Sequence, residues 1–296
     1  MNNNSSNEEL LQNFLDYLEF EKRSSKHTVI SYKNDISHFL ENIKLKKLEE
    51  IQDRDVRAWI VRLSEEKQNP RSINRKITSL RSFFVYLQKT IKIEVNPVTK
   101  IHALKTKKRL PMFVEKNNMG TLLEEIEFEE GFIGIRNKLI LELLYSTGIR
   151  RAELLTLQIG SFDFSNKTVK VIGKRNKERI IPVIPECLQS VKEYIEIRKT
   201  ISKEHTYLIV TESGEKAYEN LVYRVVKKYL GEVTTIEKKS PHILRHTFAT
   251  HLLNNGADLQ DIKELLGHAN LSATQIYTHN SFEKLKDIYK QSHPRN

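Results

Sequence analysis

Apolar residues recur at helical spacing through the first ninety positions. Leu10, Leu11, Phe14, Leu15 and Leu18 define one face of a helix predicted from Glu8 to about Glu21. Ser25 is placed to cap a second helix carrying Val29, Ile30, Ile36, Phe39 and Leu40. A third starts at Asp53 or Asp55, with Val56, Trp59, Ile60 and Leu63. A fourth starts at Ser72, after Asn69-Pro70, with Ile73, Ile77, Leu80, Phe83, Phe84 and Leu87. Asn96-Pro97 ends the regular pattern.

The rest of the chain is mixed. Helices are predicted at 116–127 and 133–146. From 168 to 183 the period changes: two β-branched runs flank a polar turn holding Gly173 and Asn176, a hairpin signal. A helix at 186–200, a short strand at 207–210 and three or more helices from 218 onward complete the reading. The fold class is mainly α with a small β-sheet. Between the halves, Leu104 to Pro111 reads Leu-Lys-Thr-Lys-Lys-Arg-Leu-Pro, a cationic segment poor in structural signals. The expected organisation is a helical domain over 1–103, a basic linker over 104–111 and a mixed domain over 112–296.

Charge adds a partner class. The chain has 296 residues with 49 Lys plus Arg and 38 Asp plus Glu, a net charge of +11. Residues 1–110 hold 22 basic and 14 acidic side chains; residues 111–296 hold 27 and 24. A basic front half fits a polyanion such as nucleic acid or an anionic membrane surface. Arg71, Arg75, Lys76 and Arg81 fall largely off the apolar face of the fourth helix. With Lys105, Lys107 and Lys108 of the linker they are the candidate DNA-phosphate contacts. For any one of them a merely solvated face is the simpler reading. No apolar run approaches the ~20 residues that span a bilayer. The polar start has no secretory pattern, and the single cysteine, Cys187, fits a reduced compartment. A cytoplasmic protein with no membrane partner is expected.

Candidate chemistry is confined to the second half. Tyr145-Ser-Thr-Gly-Ile-Arg150-Arg151-Ala-Glu153 puts an arginine just after a helix-ending Gly148. Gly173-Lys174 lies in the hairpin turn. Pro241-His242-Ile-Leu-Arg245-His246 and Leu266-Gly267-His268 follow, then Tyr277. Each alone is weak. His242, His246 and His251 raise a zinc alternative, but the residues between His242 and His246 are Ile-Leu-Arg and not the Glu-x-x of a zinc protease, so no metal is expected.

Taken together, in order, these stretches resemble the tyrosine recombinase (phage integrase) family, and within it the Xer type. Flanking text agrees: Gly-Lys-x-Asn-Lys-Glu-Arg, His-x-Leu-Arg-His-Thr-Phe-Ala-Thr-His, Leu-Leu-Gly-His and Ile-Tyr-Thr-His. The resemblance implies a SAM-like helical core-binding domain ahead of a catalytic domain. It implies Tyr277 as nucleophile, forming a 3′-phosphotyrosyl bond, with Arg150 and Arg245 on the phosphate oxygens. Lys174 is then the general acid, His242 the group that accepts or relays the tyrosine proton, and His268 a hydrogen-bond donor to the phosphate. Glu153 is a supporting carboxylate. Arg151 departs from the small or aliphatic residue usual there and leaves two adjacent arginines; the motif counts from Gly148 and selects Arg150.

The family also implies double-stranded DNA with a short inverted repeat as partner, a tetramer on two duplexes, and no cofactor, in keeping with the absence of a Walker-type loop. Whether a second related recombinase or a division-linked DNA translocase takes part stays open. So does whether the C-terminal stripe of Phe282, Leu285, Ile288 and Tyr289 docks in cis or in trans. The expected role is chromosome dimer resolution in chromosome partition and cell division. The alternatives are an integrase of a mobile element, a DNA-binding regulator on the same scaffold, and a type IB topoisomerase. A first helix at about residue 8 leaves no room for the extra front domain of many integrases.

Overall fold

A computed structural model describes residues 6–43, 46–90, 93–106, 112–173, 176–201, 206–267 and 287–294. The chain divides into two compact units, Met1–Arg109 and Leu110–Asn296.

The first unit is built on α1 (Asn7–Asp16, continued by a wider turn over Tyr17–Glu21), α2 (Lys26–Ile43), α3 (Asp53–Glu65) and α4 (Pro70–Thr90). The helical periodicity is realised: Phe14, Ile36, Phe39, Val56, Trp59, Leu63, Phe83 and Phe84 form one core. Trp59 packs edge-on against Phe39 at 5.1 Å. Ser25 caps α2 as expected, its Oγ accepting from the Thr28 amide at 3.3 Å. Ile30 is an exception, 54% exposed on the outer face of α2. The fourth helix starts two residues before the expected Ser72. Pro70 takes the first helical position, where its missing N–H costs nothing, and the Asn69 side chain accepts from the Arg71 amide at 2.9 Å. After α4 the chain returns across it: Val98 and Ile101 join the core. The Asn74 side chain then grips the Leu104 backbone by its N–H and its C=O, at 2.8 and 2.9 Å.

The second unit contains α5 (Lys116–Gly120), α6 (Gly131–Thr147), α7 (Arg151–Thr156), α8 (Pro185–Ile201), α9 (Glu219–Val233), α10 (Pro241–Asn254) and α11 (Leu259–Leu266). Helix α6 is buried along almost its whole length, from Leu139 to Thr147 without interruption. A helix apolar on all faces is a central helix, and α6 packs against α8, α9 and α10. The expected hairpin is β2 (Thr168–Ile172) with β3 (Glu178–Pro182), in antiparallel register Val169↔Ile181 and Val171↔Arg179. A two-residue strand, β1 (Phe162–Asp163), adds to the outer edge of β2, giving the order β1-β2-β3. Two residues are too few to leave a period in sequence. The stretch 207–210 is not a strand of this sheet; it makes isolated bridges, Gln158↔Tyr207 and Val210↔Lys216. Residues 287–292 are helical. Tyr289 donates to the Ser146 carbonyl at 2.8 Å and its ring lies tilted against Phe248, so residues 287–292 are seated on their own unit. Among the described residues no helix is long and apolar enough to cross a membrane.

Candidate active site

The site begins where α6 stops. Gly148 ends the helix in the left-handed conformation (φ +61°), which β-carbon-bearing residues rarely adopt. It is also hemmed in: a Cβ on Gly148 would stand 2.5 Å from the Phe248 ring and 2.8 Å from Leu266. The reversal delivers Ile149 to the core and leaves Arg150 at the N-cap of α7. Glu153, three residues on, turns back: its carboxylate accepts from the Arg150 amide and from Arg150 Nη1, both at 2.7 Å. Arg151 points elsewhere and pairs with Glu219 at 2.5 Å. The two adjacent arginines thus take different partners, Arg150 the buried Glu153 and Arg151 the exposed Glu219.

Helix α10 supplies Arg245, which is buried. Its Nη1 donates to the Gly148 carbonyl at 2.5 Å and its Nη2 to the Leu266 carbonyl at 2.7 Å. Burial, followed by the charge of Arg150 close by, lowers the Arg245 guanidinium to about 10. It therefore stays cationic at neutral pH. His242 lies one helical turn earlier on α10, on the same face as Arg245 and exposed. His246 is turned inward, and its Nε2 is buried without a hydrogen-bond partner among the described residues. His251 is buried too, its Nδ1 sharing a 2.9 Å bond with the Tyr145 hydroxyl.

The organising feature is the C-terminal end of α11. Such ends leave carbonyls without partners inside the helix and carry partial negative charge. Three arginines from three other elements take three successive carbonyls. Arg179 Nε donates to Leu265 O at 3.0 Å, Arg245 Nη2 to Leu266 O at 2.7 Å and Arg150 Nη2 to Gly267 O at 3.1 Å. Gly267 caps the helix at φ +63°, and His268 follows it in the chain. The same end of the helix therefore sets Arg150 and Arg245 side by side. Arg150, its side chain 34% exposed, is the more open of the two.

Sequence reasoning quoted Arg179 but gave it no role. It sits on β3 and forms a two-pronged pair with Glu153, Nη1 to Oε1 and Nη2 to Oε2, both at 2.8 Å. Burial alone raises the Glu153 carboxyl. The hydrogen bonds and charge of Arg179, with the bonds from Arg150, overrule it and hold the group at about 2. A signal was present in the sequence. Alternation along β3 puts Arg179 on the same face as Ile181, so a guanidinium had to be buried and needed an anionic partner.

Lys174, His268 and Tyr277 lie outside the described residues, as do Lys107 and Lys108. The candidate DNA contacts of the first unit fall into different settings. Arg71 and Lys105 are exposed. Arg75 is half exposed and reaches Ser31 at 2.6 Å and the buried Asp35. Lys76, 12% exposed, faces the other oxygen of Asp35 at 3.6 Å. Arg81 donates to the Ile101 carbonyl at 2.8 Å, so it also fastens the returning chain.

Comparison with known proteins places the chain in a family. The model described as "Phage integrase family" matches residues 112–284, and that described as "Phage integrase, N-terminal SAM-like domain" matches residues 11–90. A tyrosine recombinase XerC of Thermodesulfovibrio yellowstonii is 39% identical over 290 residues, covering 96% of each chain. One of the same name from Listeria innocua is 36% identical, covering 97% of this chain and 98% of its own. The crystal structure of XerH site-specific recombinase in a post-cleavage complex with palindromic difH substrate shares the fold, with a TM-score of 0.73 at 22% identity over 94% of this chain and 82% of that one. The chain belongs to the phage integrase family, the tyrosine recombinases. Within that class it is an Xer-type enzyme, a site-specific DNA recombinase.

Proposed function

We propose that the enzyme resolves chromosome dimers by cutting and rejoining DNA at a short inverted repeat, acting as a tetramer on two duplexes. One observation carries the catalytic part: Arg150 and Arg245, from different elements, are held on the adjacent carbonyls of Gly267 and Leu266, directly before His268. Two fixed guanidiniums suit a phosphoryl transition state, whose non-bridging oxygens gain charge.

In this reading the Tyr277 hydroxyl attacks the scissile phosphorus. Its proton, held with a pKa of ~10 in the free residue, passes to His242. The bond to the 5′-oxygen breaks as Lys174 protonates the leaving alkoxide. A 3′-phosphotyrosyl linkage replaces the phosphodiester, so attack by a 5′-hydroxyl from the partner strand reverses the step without an energy source. His268 donates to the phosphate, and Glu153 orients Arg150. The near full-length similarity to proteins named XerC supports the chromosomal role over that of a mobile-element integrase.

The test uses fragmented genomic DNA of the source organism. Wild type and Tyr277→Phe are incubated with it, covalent adducts are captured under denaturing conditions, and the attached DNA is sequenced. Adducts in wild type alone, concentrated at one inverted repeat near the replication terminus, are expected. Concentration at the boundary of a mobile element overturns the chromosomal role. Adducts retained by Tyr277→Phe overturn the nucleophile.

A further inference from the structure

Glu153 poses an electrostatic problem that the catalytic reading leaves unanswered. Arg150 is open enough to receive a phosphate, yet its Nη1 is 2.7 Å from a carboxylate. A full negative charge at that distance competes with the phosphate for the same guanidinium. The second unit resolves this from a different element. Arg179, on β3, engages both oxygens of Glu153 while its Nε holds Leu265 O. With the pair neutralised, the four side chains Glu153, Arg179, Arg150 and Arg245 carry a formal charge of +2; without Arg179 the same site carries +1.

The position of the pair makes it a junction. A Cβ on Gly173, the residue before Lys174, would meet Glu153 Oε1 at 3.3 Å and Arg179 Nη1 at 3.5 Å. A Cβ on Gly267, the residue before His268, would meet Arg179 Cδ at 3.1 Å. The pair thus lies beside Gly173, its Arg179 lies beside Gly267 as well, and Glu153 ties it to Arg150.

From this we infer that Arg179 is a positioning residue: it neutralises Glu153 and so leaves the charge of Arg150 to the scissile phosphate. This rests on the assignment of Arg150 to that phosphate. Arg179 touches no reacting atom; it acts through Glu153.

The test measures single-turnover adduct formation by the full chain on a nicked duplex carrying the site recovered by adduct capture. Two versions of the duplex are compared, one with the normal scissile phosphate and one with a methylphosphonate there, which lacks the charge that Arg150 offsets. Arg179→Gln is expected to slow adduct formation ~30-fold on the phosphodiester but under ~3-fold on the methylphosphonate, with DNA affinity changed under ~3-fold. Equal losses on the two substrates overturn the inference, because they assign Arg179 to packing alone; so does no loss on either.

Arg179→Gln leaves a buried carboxylate half paired and is at risk of misfolding, so Glu153→Gln and the double variant complete a cycle. In the Glu153→Gln background, adding Arg179→Gln is expected to cost under ~3-fold. A loss there as large as in wild type overturns the inference. Arg150→Gln separates the two layers. It should itself show selective loss on the phosphodiester; if it does not, or if wild type forms no adduct, the reading of the site falls and the role of Arg179 with it.

Discussion

At the residue scale, Gly148 is the most constrained position of the site. It must be left-handed, it must admit the Phe248 ring edge, and its carbonyl must receive Arg245. Gly148→Ala meets both backbone strain and a clash with a buried ring, and is expected to destabilise the second unit by about 2–4 kcal/mol. Gly160→Ala is the matched control, since a Cβ there meets nothing within 4 Å; a change under about 1 kcal/mol is expected. Urea unfolding of the two variants checks this. Equal midpoints for Gly148→Ala and wild type would mean that the turn relaxes at no cost. The need for an αL residue at a helix end was readable from Thr-Gly-Ile-Arg. The reason no other residue fits was not, because Phe248 and Leu266 lie one hundred or more positions away.

At the scale of elements, the four front helices and the hairpin were legible because each announces itself through a local period, 3.6 or 2. What stayed illegible was pairing across the chain. The basic residues of α4 looked alike in sequence, as charges off an apolar face. Folding distinguishes them: Arg75 and Lys76 both turn toward Asp35, forty and forty-one positions before them, but Lys76 is largely covered while Arg75 stays half exposed, and Arg81 turns toward the Ile101 carbonyl. The same limit hid Arg179, whose partners sit on α7 and at the end of α11. A consequence follows for DNA binding. A cation that releases a counterion on contact with a phosphate contributes about one unit to the slope of log affinity against log salt. Arg75→Ala is expected to lower that slope by about one. Lys76 shares Asp35 with Arg75 but is only 12% exposed, so Lys76→Ala is expected to leave the slope unchanged while lowering stability. Affinity titrations over a range of salt concentrations decide it, and a slope that falls for Lys76→Ala but not for Arg75→Ala would reverse the assignment of this face.

At the scale of the whole molecule, the two units have separate cores. Phe14, Trp59 and Phe83 belong to one cluster, and Tyr145, Phe248 and Leu265 to another, with no buried residue common to both among the described residues. Cooperative unfolding requires that the loss of one packed region removes support from the next. Each unit has a core of its own to lose, so urea is expected to unfold the free protein in two transitions. The larger unit should have the steeper one, since the slope follows the surface exposed. The sequence supplies a reporter for separating them: Trp59 is the only tryptophan, fully buried in the first unit. Its fluorescence should follow that unit alone, while far-ultraviolet circular dichroism sees both. Gly148→Ala sharpens the comparison, for it should move the dichroism transition of the second unit and leave the Trp59 midpoint in place. If fluorescence and dichroism coincide, and Gly148→Ala shifts both together, the units fold as one. The strain at Gly148 would then be carried by the helices of the first unit as well as by the turn that ends α6.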